Sequence, residues 1–229
     1  MIAGMQISGL MLALFAVAGF AAAQTPVSFP VPDGTLLHAD QYGSGERGVV
    51  LAHGGPFGKE SWQKQAEVLA KAGFRILAIQ FRGDHLTKEG KMAAFGSYDD
   101  NALDVLTTVR YLHKTGAKTA AVIGASLGGD AAAQAAAECT EGEIDRIVLL
   151  GANGNGFATK LKIPKLFILT RDDEAGDGPR LPAVRREYEK APEPKKLVIL
   201  EGSAHAQYIF GTDQGERLMQ ELLEFLSGS

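Results

Sequence analysis

Gly124-Ala125-Ser126-Leu127-Gly128 follows the apolar run 119–123 and opens an alanine-rich segment, 129–138. The run reads as a strand and the segment as a helix. A serine on so tight a strand-to-helix turn is held out for attack on a carbonyl. The small flanking residues matter because the reversal crowds backbone against backbone and often needs unusual dihedrals. A bare G-x-S-x-G match is cheap in a chain with 28 glycines. The strand, turn and helix around it raise this one well above chance.

Outward from that turn, strands and helices alternate along the chain. Residues 27–31 and 35–42 flank Pro32-Asp33-Gly34, a hairpin signal. Strand 48–52 precedes a helical pattern over 59–72, with Trp62, Ala66, Leu69 and Ala70 on one face. Strand 75–81 precedes helix 98–114, whose apolar face is Ala102, Val105, Leu106 and Val109. After the Ser126 turn come strands 147–150 and 166–170, helix 182–190, strand 197–200 and helix 214–226. Strands apolar on both faces, alternating with amphipathic helices, predict a mostly parallel sheet covered on both sides. Chemistry in such sheets collects at the carboxyl ends of the strands.

A serine hydroxyl is a weak nucleophile until a base takes its proton. That base should be a histidine on another strand-end loop, oriented by a buried carboxylate. His205 fits, in the loop between strand 197–200 and the last helix. The carboxylate should come from the loop after 166–170, where Asp172, Asp173, Glu174 and Asp177 crowd together. Asp173 is far enough past the strand to turn back toward the histidine; Asp172 is the alternative, or it points outward and caps the turn. The developing oxyanion needs donors. The Leu127 amide, at the start of a helix, is one. The second belongs to His53-Gly54-Gly55-Pro56-Phe57-Gly58, where Pro56 has no N–H. Gly55 is the better candidate there and Phe57 the poorer, with His53 bracing the loop. Arg82 and Asp84 are expected to pair as structural support, with His85 near a pocket. His38 and His113 read as surface or packing residues. Trp62, Phe57 and Phe95 suit core and pocket wall equally. Asn153 and Asn155 are expected to border the acyl pocket; their glycine loop lacks the spacing of a dinucleotide site.

The chain has 229 residues, 45% hydrophobic and 22% charged, as expected of one globular domain with a sizeable core. A net charge of −4 gives no reason to expect nucleic acid as a partner. Five histidines, one cysteine and no Cys-x-x-Cys point to no metal and no cofactor. Residues 10–23 are an unbroken apolar run ending Ala21-Ala22-Ala23, short for a bilayer crossing and with small residues where a signal peptidase cuts. Residues 1–23 therefore read as a secretory signal and 24–229 as the folded domain, which predicts a periplasmic or extracellular protein. The missing Lys or Arg before Arg47 leaves an uncleaved anchor or a buried segment as alternatives.

Taken together, residues from about 27 to 226 resemble the α/β-hydrolase family. His53-Gly54-Gly55 stands where that family places its oxyanion loop, and Gly124–Gly128 where it places the nucleophile. Gln80-Phe81-Arg82-Gly83-Asp84 is similar to its Asp-x-Arg-Gly-x-Gly segment, departing at Gln80 and His85. Ser126, Asp173 and His205 follow the family's chain order. The resemblance implies an α/β fold with a mostly parallel central sheet and helices on both faces. The link after strand 147–150 is too short for a cap domain, so small or exposed acyl groups are favoured. It implies a serine hydrolase cleaving small-molecule carboxylic esters through an acyl-enzyme. No stable membrane span is expected after signal cleavage. A serine peptidase using the same residues is one alternative, and a non-catalytic secreted binding protein on this scaffold another.

Overall fold

The computed structural model describes residues 24–83, 85–86, 92–94, 97–176 and 178–228. The leader expected at 1–23 lies outside the described residues, as do Asp84, Phe95, Asp177 and the side chain of His85. Among the described residues, no helix is long and apolar enough to cross a membrane.

Eight strands form one sheet: β1 (Thr25–Pro30), β2 (Leu36–Tyr42), β3 (Arg47–Ala52), β4 (Phe74–Gln80), β5 (Thr119–Ala125), β6 (Arg146–Leu150), β7 (Lys165–Thr170) and β8 (Lys195–Leu200). Their order is β1-β2-β4-β3-β5-β6-β7-β8. The β1–β2 and β2–β4 pairs are antiparallel, and every pair from β4–β3 to β7–β8 is parallel. The hairpin joining β1 and β2 closes through Gly34 N–H to the Val31 carbonyl and Thr35 N–H to Asp33 Oδ1.

The interior strands are apolar at nearly every position, so neither face can meet water, and alternation sends successive residues to opposite sides. Val50, Ala52, Val122 and Leu149 point toward α2 (Tyr98–Lys114), α3 (Leu127–Glu138) and α4 (Leu181–Lys190). Val49, Leu51, Ile123 and Val148 point toward α1 (Gln63–Lys71) and α5 (Gly215–Ser227). Each helix answers with one stripe: Leu218, Leu222 and Leu226 in α5 recur every four residues and are all buried. Burying a Leu or Val of this kind stabilises the fold by about 1.5–3 kcal/mol relative to exposure. The Ser97 hydroxyl caps α2 by accepting the Asp100 N–H at 3.1 Å.

Most boundaries shift by one or two residues from the sequence reading, and two differences have a clear local cause. The pattern over 59–72 is a 3-10 turn, Lys59–Trp62, followed by α1 rather than a single helix. Ser61 N–H reaches the Gly58 carbonyl, an i→i−3 bond that tightens the entry and delivers Trp62 fully into the core. Helix α3 starts at Leu127, two residues ahead of the alanine run. Gly129 and Asp130 N–H both bond the Ser126 carbonyl, which begins the helix despite two glycines of low propensity.

The connection between β6 and β7 holds only a 3-10 turn, Ala158–Lys160, so among the described residues no cap domain covers the sheet. The loops after β3, β5, β7 and β8 therefore lie on the same carboxyl edge, open to solvent. Those four loops hold every residue proposed for chemistry.

Candidate active site

Ser126 lies between β5 and α3 with φ +49 and ψ −115. This region is costly for a residue with a Cβ, about 1–3 kcal/mol, and persists only where surroundings over-determine it. Here Ser126 N–H bonds the Leu150 carbonyl at 2.8 Å, and the Ser126 carbonyl accepts from Gly129 and Asp130. The close approach also needs Gly128: a Cβ there would collide with the backbone carbonyls of Ala52 and His53. The serine is thus pinned by backbone on both sides, with its side chain half-buried.

His205 follows β8. Its Nε2 lies 2.9 Å from Ser126 Oγ, and its Nδ1 2.8 Å from Asp173 Oδ2. Asp173 is fully buried and acts only as an acceptor when ionised, so Nδ1 carries the proton and Nε2 is left to accept from the serine hydroxyl. Asp172, the alternative acid, is exposed, and its N–H bonds the Gly202 carbonyl. Asp173 Oδ1 faces Arg180 Nε at 3.4 Å, so the buried carboxylate has a cation on its other side. Two features hold the histidine. Thr170 Oγ1 donates to the Ala204 carbonyl at 2.8 Å, and Gly151, with φ +64, brings its backbone against the ring where a Cβ would stand 3.1 Å from His205 Cε1.

The loop after β3 is ordered by the Gly54 carbonyl, which accepts from His53 Nδ1 at 2.9 Å and from Phe57 N–H at 3.1 Å. A trans peptide points its N–H opposite its carbonyl, so these two bonds aim the Gly55 amide the other way. Gly54 N–H is itself taken by Gln207 Oε1 at 2.7 Å. Gly54 and Phe57 are thus engaged and Pro56 lacks a donor, while the Gly55 amide has no hydrogen-bond partner among the described residues. Leu127, the first residue of α3, supplies another N–H without an intrahelical partner. His53 is fully buried and packs edge-on to Phe81 with ring centroids 4.9 Å apart. Burial pulls its pKa below the ordinary value, which keeps the ring neutral as a brace.

The remaining named residues fall away from this line. His38 is exposed and bonds Ser28 Oγ, and His113 bonds the Ala117 and Glu143 carbonyls. Arg82 pairs with Asp104 and Asp33, tying the end of β4 to α2 and to the hairpin. Trp62 is core, whereas Phe57 is half-buried against exposed Tyr208. Asn153 lines the cavity beside Ser126; Asn155 is exposed, with φ +46, and does not.

Four residues at the site carried no sequence signal: Gln207, Asp130, Arg180 and Arg186. Gln207 is 6% exposed and bridges Gly54 N–H to Ser61 Oγ, to which its Nε2 donates at 2.7 Å. It sits two residues past His205, and Ala206 between them takes φ +49. A motif search could not find it, because its partners lie 146 and 153 positions away. Asp130, Arg180 and Arg186 line a cavity of about 330 Å³ that opens at Ser126.

Comparison with known proteins follows the same outline. A family model described as the alpha/beta hydrolase fold matches residues 48–207. A bifunctional epoxide hydrolase 2 from Sus scrofa is 37% identical over 101 residues, 43% of this chain and 17% of that protein. A non-heme haloperoxidase from Rhodococcus erythropolis is 29% identical over 147 residues, 63% of this chain and 47% of that one. The matches to these two relatives therefore span less than half of their length. Among solved structures, a dienelactone hydrolase from Anabaena variabilis superposes with a TM-score of 0.72 at 23% identity, covering 90% of this chain and 97% of that one. An esterase from Pyrococcus furiosus gives 0.71 at 20% identity, covering 90% and 92%. At these identities the likeness is one of fold.

Proposed function

The chain belongs to the α/β-hydrolase family, and from that premise we propose that it is a serine hydrolase cleaving carboxylic esters through an acyl-enzyme. Ser126 is the nucleophile, His205 the base and Asp173 the acid that orients it. The observation that carries this reading is the line of two hydrogen bonds, 2.9 Å and 2.8 Å, running from Ser126 Oγ through the imidazole to a buried carboxylate.

The chemistry follows from those atoms. His205 Nε2 takes the Ser126 proton as Oγ adds to the ester carbonyl carbon. The amides of Leu127 and Gly55 bind the oxyanion that forms. Asp173 stabilises the imidazolium without taking its proton. The imidazolium then protonates the departing alkoxide, leaving Ser126 acylated. Water, deprotonated by the same nitrogen, adds to the acyl carbon and releases the acid. The open carboxyl edge suits short acyl groups, since no cap among the described residues encloses a long chain.

Ser126→Ala tests the reading. It is expected to lower turnover of p-nitrophenyl acetate by about 10³-fold or more, with an unchanged far-UV circular dichroism spectrum. A folded variant that keeps the wild-type rate overturns the assignment.

A further inference from the structure

The cavity beside Ser126 has a composition unlike that of an alkyl pocket. Ser126 and Asp130, one helical turn apart, form one wall at the start of α3. Arg180, immediately before α4, and Arg186, in its second turn, line the same cavity, as does Asn153. Pro182, Ala183, Val184 and Arg186 are the α4 residues that line it, so the one long side chain this helix gives the cavity is a guanidinium. Arg180 turns its Nε toward Asp173, which leaves the outer nitrogens of the fork for a ligand. Among the described residues, Arg186 has no hydrogen-bond or ion-pair partner and stands exposed at the rim.

From this arrangement we propose that the cavity selects esters carrying a carboxylate, which the guanidinium groups of Arg180 and Arg186 hold while the ester carbonyl sits at Ser126. The inference rests on the ester-hydrolase reading above and names its substrate class. A planar guanidinium fork matches a carboxylate in shape as well as charge. The volume, about 330 Å³, accommodates a short dicarboxylic half-ester. Among the described residues, Asp130 is the one acid lining the cavity. Its Oδ1 accepts the Gly154 N–H at 3.1 Å, and burial pushes its pKa up to about 6 against the pull of Arg180. An incoming anion favours its neutral form further, so Asp130 is a modest obstacle. Asp173 offsets Arg180 on one edge only.

Two alkyl fluorophosphonates of equal chain length test the proposal, one ending in a methyl group and one in a carboxylate. Each reacts as Ser126 Oγ bonds to phosphorus, fluoride leaves and the serine proton passes to His205. Intact-mass spectrometry gives the second-order labelling rate of the whole protein. The carboxylate probe should label about tenfold faster or more, and Arg186→Gln should reduce that ratio by a similar factor. The ratio cancels any effect the substitution has on the serine itself. A wild-type ratio of one or below, or a ratio untouched by Arg186→Gln, overturns the inference and leaves the ester-hydrolase reading standing. Failure of both probes to label Ser126 overturns that reading, and the inference with it.

Discussion

Gln207 is placed to position the proposed reacting groups without touching them. Its amide, carried on the segment after β8, reaches the connection between β3 and α1, accepting from Gly54 N–H and donating to Ser61 Oγ. Gly54 also has Ser126 close by, since a Cβ built on it would lie 3.5 Å from the serine Cβ. Loss of this bridge lets the loop that presents the Gly55 amide drift relative to the serine. Gln207→Leu keeps the volume and removes both bonds. The expected outcome is a fall in kcat of about tenfold, less than the loss of a whole oxyanion donor, with a smaller change in KM. Steady-state kinetics on an ester decides it. Equal kcat in variant and wild type would deny Gln207 any positioning role. The proposed oxyanion loop has a second brace in His53, whose imidazole holds the Gly54 carbonyl.

The junction of β5 and α3 is the most crowded element boundary on the site edge. Gly124 and Gly128 face each other so closely that a Cβ on the first meets the carbonyl of the second. Gly129 meets the Ala152 Cβ in the same way. The helix can start directly after the strand only because these positions carry no side chain. Gly128→Ala places a methyl against the Ala52 and His53 carbonyls, at the root of the oxyanion loop. Backbone on both sides cannot step aside, so the variant should lose about 2–4 kcal/mol, the upper range for overpacking. A urea midpoint equal to wild type would contradict that placement. The alanine run behind the glycines then lets α3 lie close on the sheet, where Ala131, Ala132 and Ala135 are buried.

Across the folded domain, Asp130 links stability to pH. Asp130 has its pKa raised from 3.8 to about 6. Between those values the folded state holds a proton that the unfolded chain has released, so stability falls as pH rises through this window and levels off above it. Asp130→Asn removes the titration and keeps an oxygen for the Gly154 N–H. The variant should match wild type near pH 4 and exceed it at pH 8 by at most about 3 kcal/mol, less what water in the cavity screens. Chemical denaturation at the two pH values measures it. A variant no more stable at pH 8 than at pH 4, relative to wild type, would show that Asp130 is better solvated than its position implies.

The alternation of apolar strands and striped helices was legible residue by residue, because burial on both faces of a parallel sheet forbids polar positions. The serine elbow was legible too, since a reversal that tight admits only small neighbours, and chain order then pointed to His205 and to the acidic loop after β7. Asp172 and Asp173 could not be separated by order alone. One is exposed and the other buried against His205, a difference set by how the loop after β7 turns beneath the loop after β8. Likewise, nothing local marks Gln207, Arg180 or Arg186 as site residues. Their partners and their shared cavity come from segments distant in the chain, and local propensity carries no information about which loops the packed sheet brings together.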